Sequence, residues 1–304
     1  MHSRADLLDE IRHRISVHAR PDMRTAIDGL LLSRVTTDAV TPDYTLTEPL
    51  LVLMAQGGKR LLLGDRTYEY RAGQCLVITA TVPVTGHHID TSVQSPSLGL
   101  GLVLRPADVA ELILQGPAGS RARSDDVSAI STGDAGVDLL DAMVRMLRLL
   151  DNPADAAVLA PLVQREILWR TLTGPQGAAL RNIGLADSNL SHVSRAITWV
   201  RDNYAEPVRI DDLAQLAGLS TSAFHRHFRA VTAMTPLQFQ KRIRLQHARS
   251  LLLAQRSDVA TVGHEVGYDS PSQFNREYRR LFGAPPGRDA SRLRDDAGPV
   301  AHLV

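Results

Sequence analysis

The chain has 304 residues, 44% hydrophobic and 22% charged, the proportions of a globular protein long enough for two domains with sizeable cores. Its single cysteine, Cys75, excludes an intrachain disulfide framework and a multi-cysteine zinc site. The net charge of +1 hides an asymmetry: from residue 190 onward 16 Lys and Arg stand against 11 Asp and Glu, a balance of +5, and before it 18 stand against 22, a balance of −4, so a polyanionic partner belongs to the C-terminal part.

No apolar run approaches the ~20 residues that span a bilayer, and Met1–Asp6 lacks the apolar core of an export signal; the expectation is a cytoplasmic chain with no membrane partner. Leu7, Leu8, Ile11 and Ile15 recur at helical spacing and predict an amphipathic helix within residues 3–20 that packs on its own domain. From Leu30 to Leu104 the pattern changes to short runs: Leu30–Val35, Leu50–Ala55, Arg60–Leu63, Thr67–Tyr70, Gln74–Thr79 and Leu98–Leu104. Gly57-Gly58, Gly64-Asp65 and Ala72-Gly73 punctuate them as predicted hairpin turns. Many short strands at this spacing imply a small barrel or jelly roll, whose interior could hold a small molecule.

Three residues in this part invite a chemical reading. His87 and His88 are adjacent, so on a strand they point to opposite faces, and only Asp90 stands near as a carboxylate. No metal or other cofactor is expected there. Cys75 lies in a run whose alternation pairs it with Val77 against Leu76 and Ile78 without saying which pair is inward. It reads as a buried inert thiol, with effector or redox sensing as the sharper alternative.

Beyond Ala107 the period becomes helical. Val109, Leu112 and Ile113 form one segment, Val137 to Leu150 a second and Leu159 to Leu172 a third, with breaks at Gly116–Ser120 and Asp151–Pro153. Their leucine-rich faces pair either within the domain or across a homodimer. Residues 176–189 are expected to connect the domains, with a short helix around Ala178–Ile183, and the stripe Val193, Ile197, Val200 opens the C-terminal domain. Past Arg294 periodicity ends, so 295–304 reads as a disordered tail.

Between Val208 and Pro286 one pattern occurs twice. Asp212-Leu213-Ala214, Ala217-Gly218-Leu219-Ser220 and Phe224–Arg229 lead to Pro236; Val262-Gly263, Val266-Gly267-Tyr268 and Phe274–Arg279 lead to Pro286. The offset is 50 for Phe224/Phe274, Arg226/Arg276 and Arg229/Arg279 but 49 for Gly218/Gly267, so the second copy carries one extra residue after its turn. Each copy reads as helix, glycine turn, helix, with Ser220 as an N-cap and Ser270-Pro271-Ser272-Gln273 as a capping box. Phe224/Phe228 and Phe274/Tyr278 are four apart and share a buried face, which turns Ser222, His225 and Arg226, like Ser272, Asn275 and Arg276, outward. Such a strip suits major-groove base edges. A helix over Pro236–Ala254, about 28 Å long, would hold the two units about one duplex turn apart.

Residues 190–294 resemble the double helix-turn-helix DNA-binding domain of the AraC/XylS family of bacterial transcription regulators, most specifically through Val266-Gly267-Tyr268, Ser270–Phe274, Leu281-Phe282-Gly283 and Pro285-Pro286. The chain departs from the family pattern at Ala233, where glycine is usual. Glu48-Pro49, Gln56–Arg60, Gly64-Asp65, Tyr68–Tyr70, Ala72–Gln74 and Pro83–Gly86 resemble the cupin-like N-terminal domain of one AraC-type subgroup. Together these imply an α+β chain: a sensor or dimerisation domain over 1–175, a cupin-like β-barrel with flanking helices; a linker over 176–189; an all-α double helix-turn-helix over 190–294; and the tail. Carried over position by position, the resemblance gives Ser222, His225, Arg226, Ser272, Asn275 and Arg276 to base edges, and Ser220, Arg229, Arg279 and Arg280 to phosphate.

The function expected is therefore sequence-specific regulation of transcription, with double-stranded DNA as partner, a small-molecule effector in the N-terminal domain, RNA polymerase if the protein activates, and no enzymatic activity. The competing expectations are a cupin-type metalloenzyme with a DNA-binding appendage, which a stoichiometric transition metal would reveal, and a ligand-independent DNA-binder, whose barrel would be packed solid.

Overall fold

A computed structural model describes residues 3–36, 42–116, 128–185, 188–254 and 258–296. Helix α1 (Arg4–His18) begins at a capping box in which Ser3 accepts from the Asp6 amide and the Asp6 carboxylate accepts from the Ser3 amide. Leu7, Leu8, Ile11 and Ile15 are its buried face, as the spacing predicts. Nine strands follow among the described residues: β1 (Leu30–Val35), β2 (Asp43–Leu46), β3 (Leu50–Gln56), β4 (Gly58–Leu63), β5 (Arg66–Arg71), β6 (Gln74–Ile78), β7 (Pro83–Ile89), β8 (Ser97–Val103) and β9 (Ile130–Asp134).

They form two antiparallel sheets, one of five strands in the order β1-β8-β3-β6-β9 and one of four in the order β2-β7-β4-β5. Only Gly64-Asp65, of the three predicted turns, joins hairpin partners; β3 and β4, like β5 and β6, lie in different sheets. Gly57 (φ +74°) and Gly73 (φ +81°) are thus corners where the chain changes sheet, a job that needs the same left-handed backbone as a tight turn. Three strands escaped the sequence reading: β2 and β9 alternate too weakly, and Gly86 with His87 and His88 breaks the apolar signal of β7.

The five-stranded sheet is covered on both faces, which is why β3 is apolar almost throughout. On one face Leu51, Leu53, Cys75, Val77 and Leu100 meet α1, α3 (Val137–Arg148) and α4 (Pro153–Thr173). On the other, Val52, Met54, Leu76 and Ile78 meet Leu61, Leu63, Tyr70 and Val84 of the four-stranded sheet. Cys75 therefore faces the helices. Leu159 and Leu162, read as part of the apolar stripe of α4, are instead exposed, while Ala156, Ala160, Ile167, Leu168 and Leu172 face inward.

Helix α2 (Pro106–Gln115) packs on α5 (Gly177–Gly184), so the expected connecting helix lies against the N-terminal module. The break read at Gly116–Ser120 lies outside the described residues past Gly116. Helices α6 (Asn189–Asp202), α7 (Ile210–Ala217), α8 (Thr221–Thr232), α9 (Pro236–Leu253), α10 (Val259–Glu265), α11 (Pro271–Phe282) and α12 (Pro286–Asp296) complete the chain. The tail expected over 295–304 lies outside the described residues from 297 onward. Among the described residues no helix is long and apolar enough to cross a membrane.

Candidate nucleic-acid interface

Each repeat is built by the same backbone logic. Helix α7 ends at Gly218 (φ +70°), where the Leu219 amide reaches the Ala214 carbonyl at 2.9 Å and the Gly218 amide the Gln215 carbonyl at 2.9 Å. In the second unit Tyr268 bonds back to Gly263 at 3.0 Å and Gly267 (φ +89°) to His264 at 2.9 Å. These paired bonds satisfy carbonyls that a helix end would otherwise strand. Gly263 also permits close crossing, because a Cβ there would stand 3.0 Å from the Phe274 ring.

Both second helices start at serine caps: Ser220 accepts from the Ala223 amide at 3.3 Å and Ser270 from Gln273 at 3.3 Å. The capping box expected at Ser270 is only half made, since the Gln273 side chain turns to Glu277 rather than back to the cap. A complete box forms instead at Thr235 and Gln238, opening α9. Phe224 and Phe228 are wholly buried, with ring centroids 5.4 Å apart and Phe239 a further 5.4 Å from Phe228; Phe274 and Tyr278 repeat the arrangement at 5.6 Å. With one face of each helix fixed in this way, the opposite face is exposed. Ser222, His225, Arg226 and Arg229 lie on it in α8, and Ser272, Asn275, Arg276, Arg279 and Arg280 in α11. The Asn275 amide donates to the Pro271 carbonyl at 2.9 Å, and an Arg229 nitrogen lies 3.7 Å from an Asp65 oxygen.

Helix α9, 18 residues and about 27 Å long, spaces the two units and is held by its own basic residues. Arg244 donates to the carbonyls of Tyr204 at 2.7 Å, Ala205 at 3.0 Å and Gly267 at 2.6 Å. Arg249 grips the wholly buried Asp289 at 2.8 and 3.2 Å, and the Tyr278 hydroxyl donates to the same carboxylate at 2.9 Å. Lys241 meets Glu277 at 2.9 Å. Burial works against ionisation of Glu277, yet the bonds from Lys241, Tyr268 and Gln273 outweigh it and hold the carboxyl below its ordinary range. These cations, which the sequence presents as a basic surface, are consumed in holding the second unit together. The left-handed Ala233 (φ +54°) closes α8 in the conformation that Gly283 (φ +77°) adopts after α11.

The N-terminal sheets touch both units, a contact the sequence does not announce. The Ala129 amide donates to the Val231 carbonyl at 3.0 Å and Arg66 to Ala230 at 3.2 Å, both at the end of α8. Tyr44 in β2 donates to the Leu281 carbonyl at 2.9 Å, its ring edge-on to Phe282 at 4.8 Å, with the Arg249 guanidinium 4.9 Å from one ring and 4.7 Å from the other. Cys75 is wholly buried, and desolvation pushes its thiol up to about 12, so it holds no thiolate at neutral pH. Lys59 pairs with His88 and Arg60 with His87 across the β4–β7 ladder, confirming opposite faces for the two histidines. Among the described residues no group of three or more His, Cys, Asp or Glu side chains is placed to hold a metal.

Comparison with known proteins agrees with this architecture. A family model described as the AraC-type transcriptional regulator N-terminus matches residues 26–179, and a helix-turn-helix domain model matches 213–292. The chain is 30% identical over 158 residues to the HTH-type transcriptional activator RhaS of Escherichia fergusonii, covering 48% of this chain and 54% of that protein. It is 28% identical over 154 residues to RhaS of Citrobacter koseri, covering 50% and 54%. The chain thus spans about half the length of the curated relatives it matches. The crystal structure of unsaturated fatty acid bound ToxT from Vibrio cholerae shares the fold with a TM-score of 0.57 at 11% identity, over 88% of this chain and 97% of that one. With a family model covering half its length, a second over its repeated units, and both modules folded as that pattern requires, the chain belongs to the AraC-type transcriptional regulators.

Proposed function

We propose that the protein is a sequence-specific, effector-responsive transcription regulator that reads two successive major-groove faces of double-stranded DNA. The carrying observation is the pair of exposed strips on α8 and α11, each locked outward by buried aromatics on the opposite face. Ser222, His225 and Arg226 address bases from the first unit and Ser272, Asn275 and Arg276 from the second; Ser220, Arg229, Arg279 and Arg280 address phosphate. Residues 1–175 act as sensor or dimerisation domain, 176–189 as linker and 190–294 as reader, in a cytoplasmic protein that contacts RNA polymerase if it activates. The small-molecule effector is supported by the fatty acid named for ToxT, a protein of the same fold.

Selection of bound sequences from random duplex DNA, followed by footprinting, tests this. The expected footprint has two protected major-groove segments about ten base pairs apart on one face; a chain that selects no sequence ends the proposal. The enzyme alternative draws no support from the site, since the two histidines face apart and Cys75 is sealed.

A further inference from the structure

The connection from β6 to β7, α5 and α6 meet around a cleft of about 240 Å³. Thr79-Ala80-Thr81 forms one wall. The other is a single face of α6, where Ser191, Ser194 and Thr198 fall three and four residues apart, and Asn182 and Ile183 of α5 close the end. Leu190 and Ile197, nearly fully buried, give that face its apolar floor.

Two properties define what fits. Among the described residues no ionisable side chain lines the cleft, so a carboxylate, phosphate or ammonium would lose hydration against these walls without a compensating charge. Yet the side chains of Thr81, Asn182, Ser191, Ser194 and Thr198 make no hydrogen bond among the described residues, whereas the Thr79 hydroxyl is already bonded to the Ala129 carbonyl at 3.2 Å. Four hydroxyls and one amide, each able to donate and accept, stand around apolar walls. The cleft opens to solvent at the exposed Thr198; against a cavity of roughly 150 Å³ that holds benzene, its volume admits at most about ten non-hydrogen atoms.

We propose that this cleft is a binding site for a small, uncharged, oxygen-bearing ring molecule of the diol or lactone class. Such a ligand touches the β6–β7 connection of the N-terminal sheets on one side and, on the other, the helix against which α7 and α8 pack. Its affinity then depends on how the two modules sit, and its occupancy biases their placement by the same free energy. As an effector site the cleft rests on the regulatory reading above; as a binding site it does not.

The test uses the full chain with cyclohexanediol and valerolactone as neutral probes, and cyclohexanecarboxylate and cyclohexylammonium as charged probes of similar size. Ligand-observed NMR is expected to show both neutral probes binding and the charged ones binding about tenfold more weakly or worse. Ser194→Trp fills the cleft and is expected to abolish neutral binding. Should that variant lose its melting transition, Thr81→Val with Ser194→Ala takes its place; it keeps the volume, and losing two hydrogen bonds is expected to weaken cyclohexanediol about tenfold. The inference is overturned if charged and neutral probes bind alike, if folded Ser194→Trp still binds the neutral probes or the double variant binds cyclohexanediol as tightly as wild type, or if neither neutral probe binds up to its solubility. None of those results touches the DNA selection, so failure of the cleft and failure of the regulator reading remain distinct.

Discussion

Asp43 and Tyr44 are neighbours in β2, face opposite sides of it and serve different modules. The Asp43 carboxylate lies 3.3 Å from the ammonium of the wholly buried Lys59, and the Tyr44 hydroxyl donates to Leu281 at the end of α11. Consecutive strand residues must point apart, so a four-residue strand ties the interior between the sheets to the second helix-turn-helix unit.

Removing Tyr44 should therefore loosen that unit specifically. Tyr44→Phe deletes one hydrogen bond and is expected to cost about 1 kcal/mol. Tyr44→Ala also deletes the edge-on contact with Phe282 and the Arg249 stack, for a loss of about 2–3 kcal/mol. Amide exchange at Leu281–Gly283 should accelerate in that order while α8 stays protected. Equal exchange in all three proteins would show that β2 does not restrain α11.

Arg276 and Arg279 lie three apart on α11 and are both exposed, yet their substitutions should differ in kind. Arg276→Ala is expected to lose about 1–3 kcal/mol of discrimination at one base position. Arg279→Ala is expected to weaken binding to every sequence alike and to reduce the salt slope by about one. Titrations of the selected site and a single-base variant at several salt concentrations separate the two. Wild-type affinity and specificity in both variants would reject the assignment.

The two helix-turn-helix units were legible because local rules suffice for them: glycine at Gly218 and Gly267, serine caps, and aromatics four apart fix which residues are left outside. The same is true of α1 and of the strands whose apolar runs are unbroken. The contacts between modules were not legible, since Tyr44 and Arg66 pair with residues 237 and 164 positions away and carry no periodic signal. Arg244 and Arg249 look like surface cations in sequence because the carbonyls and the carboxylate that receive them come from α12 and from two turns. Glycines at sheet-changing corners and at hairpins demand one backbone conformation, so Gly57 and Gly73 could not be told from Gly64.

Gly64 carries a second constraint. At φ +61°, a Cβ built on it would stand 2.3 Å from the Ala233 carbonyl oxygen, backbone that closes α8. Gly64→Ala combines left-handed strain of about 1–2 kcal/mol with a clash relieved only by separating the hairpin from the first unit. Limited proteolysis is expected to cut between the modules faster than in wild type, and the melting temperature to fall. A variant as resistant and as stable as wild type would mean that the hairpin tip is not seated on α8.

Glu10 should make the docking of α1 on α3 sensitive to acid. Arg148 donates to it at 2.8 and 2.7 Å and Arg14 at 2.8 Å; the Arg148 bonds chiefly, against some burial, bring its carboxyl from 4.5 down to about 2. A carboxyl depressed in the fold contributes stability that is fully present above its unfolded value and is lost as pH falls through the folded one. The contribution, screened by solvent, is about 1 kcal/mol. The gap in stability between wild type and Glu10→Gln is thus expected near neutrality, shrinking from about pH 5 to pH 2. A gap that stays constant down to pH 2 would remove the charge from the explanation.

The Lys59–Asp43 pair makes the milder substitution the costlier one. Lys59 is wholly buried and Asp43 retains 15% of its side-chain exposure, so only the aspartate can fall back on water. Asp43→Asn keeps the shape but removes a charge that offsets the ammonium, a loss of about 3 kcal/mol or more. Burial already pushes the Lys59 ammonium below its ordinary range, so that loss should diminish as pH rises and the neutral amine forms. Lys59→Met removes the cation together with its desolvation penalty and fills a similar volume, and it is expected to stay within about 1.5 kcal/mol of wild type. Adding Lys59→Met to Asp43→Asn should then recover most of the stability lost by the aspartate change alone. Urea unfolding of the four proteins at neutral pH decides it: a double variant no more stable than Asp43→Asn would mean that the lysine charge is not what Asp43 offsets.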